Sequence, residues 1–173
     1  AGVGIMMATW MKYKDELMDL VLRLPKCFPG AKADMHGDYS FPNPGPLYSE
    51  GFHTDNWGTV WQNIERGLDS IAVEHPLADW SDFDTWTPPD PMTQMDFGSP
   101  DWDAAAKGIE EVKKSGGVAR GGGLYHGFFY MRLYYLREFE NLMMDFATDD
   151  PKIHKLIAKV EEFCVAITQK YLE

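Results

Sequence analysis

A glycine-rich turn followed by a long aromatic segment, between Gly116 and Asp150, constrains the fold of this chain most strongly. A short apolar run at 117–120 leads into three glycines at 121–123, which is typical of a buried strand whose tip lets the backbone approach another group closely. The segment that follows has the helical spacing of polar residues. Those residues are Tyr134, Arg137, Glu138, Asn141 and Asp145. Strand, tip and helix together form one βα unit, and βα folds usually bind ligands at the carboxyl ends of their strands.

The rest of the chain alternates in the same way between helical and strand-like patterns. Apolar spacing, caps and turn residues define the elements. We predict a helix at 7–24, a strand at 31–39, a β-hairpin with strands at 57–63 and 68–74, and helices that begin near Ser99 and Asp150. This mixture of helices and strands is typical of an α/β fold.

Three separate segments carry motifs. Residues 136–145 read LREFENLMMD and lead into PKIHKLI at 151–157, residues 55–61 read DNWGTVW, and residues 74–80 read EHPLADW. The first of these resembles the uroporphyrinogen decarboxylase superfamily, and the other two resemble its methyltransferase-like branch. Glu138 stands where members of that superfamily often have glycine.

The resemblance implies the amino-terminal portion of a (β/α)8 TIM-type barrel, with the hairpin at 57–74 as an addition. The motifs correspond to the first half of a family member, and a complete barrel takes about 250 residues. We therefore expect one partial barrel domain over 1–173. It would comprise a first strand, proline-rich loop and hairpin at 30–91, and a helix, a glycine-ended strand and two helices at 99–173. Unpaired edge strands of such a fragment would require its missing carboxyl-terminal half or a homo-oligomer.

His36 and Asp38 are the candidate catalytic residues. They lie two apart at the end of the predicted first strand, so their side chains face the same side. An ionised aspartate only accepts hydrogen bonds, and it can bind a cluster of pyrrole NH groups or stabilise a developing cation. In the decarboxylase an aspartate does this, and the resemblance gives that role to Asp38. The alternative is a solvated turn aspartate and a core histidine bonded to the backbone.

Arg120, His126 and Tyr134 are the candidate substrate-binding residues. Arg120, at the end of the second predicted strand, can clamp a substrate carboxylate with two parallel hydrogen bonds, or else form a structural salt bridge. His126 lies just past the glycines. Tyr134 falls near the active-site tyrosine of the decarboxylase, the alternative being a core tyrosine. Arg137 and Glu140 are expected to hold their helix against a loop rather than to touch substrate.

Composition limits the partners. The chain has 27 acidic and 16 basic residues, a formal net charge of −11, and no basic block, which argues against nucleic acid. No apolar run is long enough to predict a membrane span. Cys27 and Cys164 are far apart in the sequence, which favours unpaired thiols and a cytoplasmic location. No residue of the chain is predicted to bind a metal.

The resemblance implies a corrinoid-dependent methyltransferase, which moves a methyl group between a methylated corrinoid protein and a thiol or folate-type acceptor. Zinc and a corrinoid are implied for the full-length enzyme, but the family's zinc ligands lie in the half that this chain does not match. One alternative is a porphyrinogen carboxy-lyase acting on a tetrapyrrole-type substrate without a cofactor. Its arginine-rich amino-terminal motif has no counterpart here. Another alternative is a non-catalytic half-barrel that serves as a binding or assembly module.

Overall fold

The computed structural model describes residues 4–32, 37, 39–119 and 129–173, which contain five α-helices, two short 3₁₀ helices at Pro46–Tyr48 and Trp80–Asp82, and three short strands. The helices are α1 (Met7–Leu22), α2 (Trp102–Lys114), α3 (Tyr130–Arg137), α4 (Phe139–Thr148) and α5 (Pro151–Leu172), and the strands are β1 (Gly51–Thr54), β2 (Val60–Asn63) and β3 (Ile71–Glu74). The strands form an antiparallel sheet in the order β1-β2-β3. Within the described ranges, no helix combines the length and the apolar composition that crossing a membrane requires.

The prediction of a partial (β/α)8 barrel is wrong. A barrel of that type needs parallel strands joined by helices, whereas the three strands here are consecutive and antiparallel. The described residues of the segment predicted as the first strand, 31, 32, 37 and 39, are not in a strand, and neither are 117–119. Both segments are rich in Ala, Gly, Lys or Asp, which have low strand propensity. The remaining residues of these two segments lie outside the described ranges.

The predicted hairpin is confirmed, with shorter strands than expected. Its first strand loses residues 57–59 because the Asp55 carboxylate accepts the backbone N–H groups of Trp57 at 3.0 Å and Thr59 at 2.8 Å, which closes a turn. Its second strand begins late because Ser70 N–H donates instead to the carbonyl of Leu47 at 3.1 Å. Side-chain and loop partners therefore take the backbone groups that a longer ladder would have used.

The predicted helices form, but two of their ends differ from the expectation. Asp150 caps α5 as predicted, since its side chain accepts the Lys152 N–H at 2.8 Å. The helix expected to start near Ser99 begins at Trp102, capped by Asp101, whose carboxylate accepts the Ala104 N–H at 2.9 Å. The long aromatic helix predicted after the glycines is broken into α3 and α4 at Glu138.

The chain divides into two compact units. The first comprises 1–53 and 61–71, and the second comprises 54–60 and 72–173. Buried apolar side chains of the first unit are Ala8, Met18, Val21 and Trp61. The core of the second unit consists of Trp57, Leu77, Phe83, Leu133, Leu136, Leu142, Ile153, Leu156 and Val160. In this second unit α3, α4 and α5 pack on one another, so the segment that follows the glycines forms the main part of its core.

Gly67 is the tightest point of the first unit. Its carbonyl accepts the Ala8 N–H at 3.1 Å, and its own N–H donates to the carbonyl of Tyr48 at 2.8 Å. Its φ is +83°, and a Cβ at this position would lie 2.5 Å from the backbone nitrogen of Ala8. The end of the hairpin turn can therefore approach α1 this closely only because residue 67 has no side chain.

We predict opposite effects for two glycine-to-alanine substitutions. Gly67→Ala should lower the free energy of unfolding by at least about 1–3 kcal/mol, because it combines a backbone clash with an unfavourable φ. Gly108→Ala, in the exposed middle of α2 where a Cβ has no neighbour within 4 Å, should raise it by roughly 0.5–1 kcal/mol. Urea unfolding of both variants measures these changes, and equal effects would contradict the role assigned to Gly67.

Candidate functional site

Tyr134 is the one predicted site residue that the structure describes. His36, Asp38, Arg120 and His126 lie outside the described ranges, so their roles stay predictions. Tyr134 is partly buried on α3 and lines an open cleft of about 640 Å³ within the second unit. The structure thus gives this tyrosine a solvent-accessible neighbourhood in which a ligand could be held.

The cleft is lined mainly by hydrogen-bond acceptors and aromatic rings. Its walls consist of Ala72, Val73, Glu74, His75, Ala78, Tyr134, Glu138, Phe139 and Glu140. Three of these side chains are carboxylates, and none is Lys or Arg. Ionised carboxylates accept hydrogen bonds and donate none. The cleft therefore favours ligands that present N–H groups or positive charge, and it disfavours ligands that carry carboxylates of their own.

His75 lines this cleft, and one of its ring nitrogens has a fixed hydrogen-bond partner. Its Nδ1 lies 2.8 Å from the carbonyl oxygen of Tyr135. Because a carbonyl can only accept, Nδ1 carries the hydrogen, and in the neutral ring Nε2 is the acceptor. The imidazole lies 5.9 Å from the ring of Tyr134, centroid to centroid. His75 was not among the residues predicted for a site, although it stands within the EHPLADW motif.

Arg137 ties the wall of the cleft to the rest of the second unit. Its Nε donates to Asp145 at 2.7 Å, and its Nη1 donates to the carbonyls of Leu77 and, at 2.9 Å, Ala78. Its guanidinium lies 3.9 Å from the ring centroid of Trp80, whose indole N–H also donates to Asp145 at 3.0 Å. The expectation that Arg137 holds its helix against a loop is confirmed.

Glu140 was expected to hold its helix against a loop, as Arg137 does, but its side chain faces solvent. It lies exposed at the rim of the cleft, at the start of α4. Its carboxylate is therefore available to a ligand that enters the cleft.

Arg132 is a second buried arginine on α3, and it pairs with residues that precede and follow the hairpin of β2 and β3. Arg132 pairs with Asp55, 3.4 Å from Nη1 to Oδ2, and with Asp96 through Nη2. Its guanidinium lies 4.5 Å from the ring centroid of Trp57. Thr59 adds a hydrogen bond from its hydroxyl to the carbonyl of Tyr135 at 3.3 Å. The DNWGTVW motif is thus fastened to α3, just as EHPLADW is.

Glu138 links α3 to α4 in a backbone conformation that suits glycine. Its φ is 67° and its ψ is 157°, a combination that a residue with a Cβ adopts at a cost of about 1–3 kcal/mol. This is the position at which the resembling superfamily often has glycine. The carboxylate that replaces it lines the cleft and accepts a hydrogen bond from Asn141 at 3.4 Å.

The zinc implied for the full-length methyltransferase finds no ligand set in the part of the chain that the structure describes. No three His, Cys, Asp or Glu side chains are grouped there in a way that could hold a metal ion. Cys164 is half-buried, and burial raises the pKa of its thiol. Cys164 belongs to no such group of potential ligands among the described residues. These residues do not fit zinc, and no zinc-dependent step is assigned to them.

Comparison with family models, with curated proteins and with solved structures gave no match.

Removing Arg137 should destabilise the second unit strongly. Arg137→Leu leaves Asp145 buried without its cationic partner and removes the Arg137 donor of the Leu77 carbonyl, so the free energy of unfolding should fall by about 3–5 kcal/mol. Arg23→Leu, which removes an exposed arginine whose Nε donates to the carbonyl of Asp19 at 3.3 Å, should change it by roughly 0.5 kcal/mol or less. Chemical denaturation of both variants makes the comparison, and similar losses would show that the Arg137 network is not central.

Replacing Glu138 by glycine should stabilise the chain. The substitution relieves the positive-φ strain of about 1–3 kcal/mol, while the greater flexibility of unfolded glycine offsets roughly 0.5–1 kcal/mol of that gain. Glu140→Gly, two residues later in the first turn of α4, removes the same side chain where φ is helical and should destabilise. Thermal melts of the two variants should move in opposite directions, and a lower melting temperature for Glu138→Gly would refute the strain.

Proposed function

We propose that this chain is part of an enzyme related to uroporphyrinogen decarboxylase, of its methyltransferase-like branch, which moves a methyl group between a methylated corrinoid protein and a thiol or folate-type acceptor. One observation carries the proposal: two of the three segments that carry the resemblance are bonded to each other. Arg137 and Asp145 of the LREFENLMMD segment bond to Leu77, Ala78 and Trp80 of EHPLADW. The third segment, DNWGTVW, is bonded to α3 through Asp55 and Thr59.

The backbone at Glu138 gives independent support. A position that often holds glycine in the superfamily has the positive φ that favours glycine here. The backbone geometry at residue 138 therefore fits the glycine that the superfamily often has, although the side chain here is that of glutamate. These two observations do not depend on a barrel. They therefore support the assignment although the described strands are antiparallel.

The lining of the cleft favours methyl transfer over decarboxylation of a porphyrinogen. Uroporphyrinogen carries carboxylate side chains, which would face Glu74, Glu138 and Glu140 with no Lys or Arg among the described lining residues. Like charges brought together in this way repel. A corrinoid instead carries neutral amide side chains, whose N–H groups match carboxylate oxygens and the Nε2 acceptor of His75. The cleft would thus hold the rim of the corrin and help to orient the partner protein that carries it.

Two features of the chain favour a binding module as the second candidate. The second unit has its own buried core. Its described residues include no group that could hold zinc. They also show no hydrogen-bond partner at His75 Nε2 that could relay a proton. A module of this kind would bind the corrinoid without catalysing transfer.

The test combines binding with turnover. Methylcobalamin is titrated against the 173-residue chain, and the absorbance change of the corrinoid measures both binding and, with an added thiol, demethylation. The double variant Glu74→Gln and Glu138→Gln should bind at least about tenfold more weakly, because each carboxylate contributes charge-assisted hydrogen bonds of about 1.5–3 kcal/mol. The control is Glu16→Gln with Glu162→Gln, two exposed glutamates outside the cleft with the same change in charge.

Each result has a distinct meaning. Cleft-dependent binding with demethylation supports the methyltransferase, and cleft-dependent binding without it supports the binding module. Decarboxylation of added uroporphyrinogen would make the carboxy-lyase the better assignment. Equal affinities of the two double variants would show that the cleft is not the binding site.

A further inference from the structure

Helix α2 has an apolar stripe that the second unit leaves partly uncovered. The structure describes the whole of α2, and none of its 13 residues is buried. Trp102, Ala105, Ile109 and Val112 recur at steps of three or four residues, so they lie on one side of the helix. A helix of this length is only marginally stable by itself in water, because most helical stability in proteins comes from packing an apolar face. Further cover of this stripe would therefore stabilise α2.

An open groove of about 310 Å³ lies between α2 and the end of α5, within the second unit. Its apolar walls consist of Trp102, Ala105, Ala106, Ile109, Tyr171 and Leu172. Trp102 is held in place by the chain itself, since its indole N–H donates to the carbonyl of Met92 at 2.8 Å and its ring lies edge-on to Tyr171, 5.3 Å between centroids. Leu172, in contrast, is 81% exposed. The groove thus offers an apolar surface to another molecule.

The charges around this groove are of both signs. Three acidic and two basic residues line it, namely Asp103, Glu110, Glu173, Lys113 and Lys170, whereas the whole chain has a net charge of −11. A net charge of that size repels a second copy of the chain from most directions. The nearly balanced groove is therefore a surface on which two copies can approach each other, while a strongly basic partner would be attracted to the more acidic parts of the surface instead.

The order of the charges along α2 matches a two-fold pair of helices. Asp103 lies in the first turn of α2 and Lys113 in the last, and both side chains are exposed. The two residues are equally far from the middle of the helix. A two-fold axis brings the same surface of both copies together, and an axis through the middle of α2 makes the two helices antiparallel. Asp103 of each copy then lies beside Lys113 of the other.

We propose that α2 is a self-association surface, on which a second copy of the chain docks antiparallel with the two grooves facing each other and with Asp103 paired to Lys113 in both directions. The helix is about 20 Å long, so the buried area falls below that of permanent dimers. The dimer is therefore reversible, with a Kd on the order of 10–100 µM.

Charge reversal tests the pairing. Sedimentation equilibrium of the 173-residue chain, from about 5 to 500 µM, measures the Kd of the wild type and of the variants. Asp103→Lys and Lys113→Asp each bring like charges together twice in the dimer, and each should raise the Kd at least about tenfold. The double variant Asp103→Lys with Lys113→Asp restores opposite charges across the interface, and its Kd should return to within about threefold of the wild-type value.

The double variant also separates pairing from helix stability. Both reversals oppose the helix dipole, and the double variant carries both defects, so a recovered affinity reports contact between copies. The matched controls are Glu111→Lys and Lys107→Asp, which make the same changes in charge at exposed positions of α2 that do not line the groove. Each control should leave the Kd within about threefold of the wild type.

Crosslinking of the wild type gives a result that does not depend on any variant. A carbodiimide is added to an equal mixture of isotope-labelled and unlabelled chains, and it joins neighbouring carboxylates and amines. A crosslinked peptide that contains Asp103 from one kind of chain and Lys113 from the other supports the proposal. A monomer throughout the concentration range, or a dimer without this crosslink, would overturn it. So would a double variant that associates no better than the single ones, or controls that weaken association as much as the reversals do.

Discussion

The second unit depends on two buried arginines that lie five residues apart on one short helix. Arg132 and Arg137 each place a guanidinium against a tryptophan ring and pair it with at least one buried aspartate. A helix of eight residues is not stable by itself in water, so these contacts and the burial of Leu133 and Leu136 must hold it. Only arginine has the planar group and the several donors that such sites require, and lysine would leave most of the acceptors unbonded.

The segments that resemble a family supply both structural side chains and side chains that line the cleft. Asp55 and Asp145 pair with the two arginines of α3, and Trp57 and Trp80 lie against the guanidinium groups. Other side chains of two of these segments line the cleft: His75, whose Nδ1 is hydrogen-bonded to the carbonyl of Tyr135, and three glutamates. The motifs thus build a rigid wall, and the chemistry available to a ligand lies on the surface of that wall.

Local features of the fold could be predicted from the sequence. The cap at Asp150 and the hairpin between β2 and β3 follow from local sequence signals that act on neighbouring backbone. The prediction of a barrel was wrong, because the segments 31–39 and 117–120 have weak strand propensity and their described residues form no strand. The break at Glu138 was missed because the polar spacing on either side of it continues a single helical pattern.

The site was harder to predict because its partners are distant in the sequence. Tyr134 was found through resemblance, whereas His75 depends on a hydrogen bond to a residue 60 positions later. Arg132 meets Asp96 across 36 positions and Asp55 across 77. No periodicity or spacing rule contains pairs of this kind, since only the folded chain brings them together.

The same separations set an order in which the protein can fold while it is made. When Asp55 leaves the ribosome, the arginine that will neutralise it is still 77 residues away, which at about 5–20 residues per second is a delay of roughly 4–15 s. During that interval the turn at 55–59 and the EHPLADW loop lack Arg132 and Arg137, their partners on α3. The core of the second unit therefore cannot be completed before α3 has been translated, and the excess of acidic over basic residues helps to keep the emerging chain from associating with its neighbours.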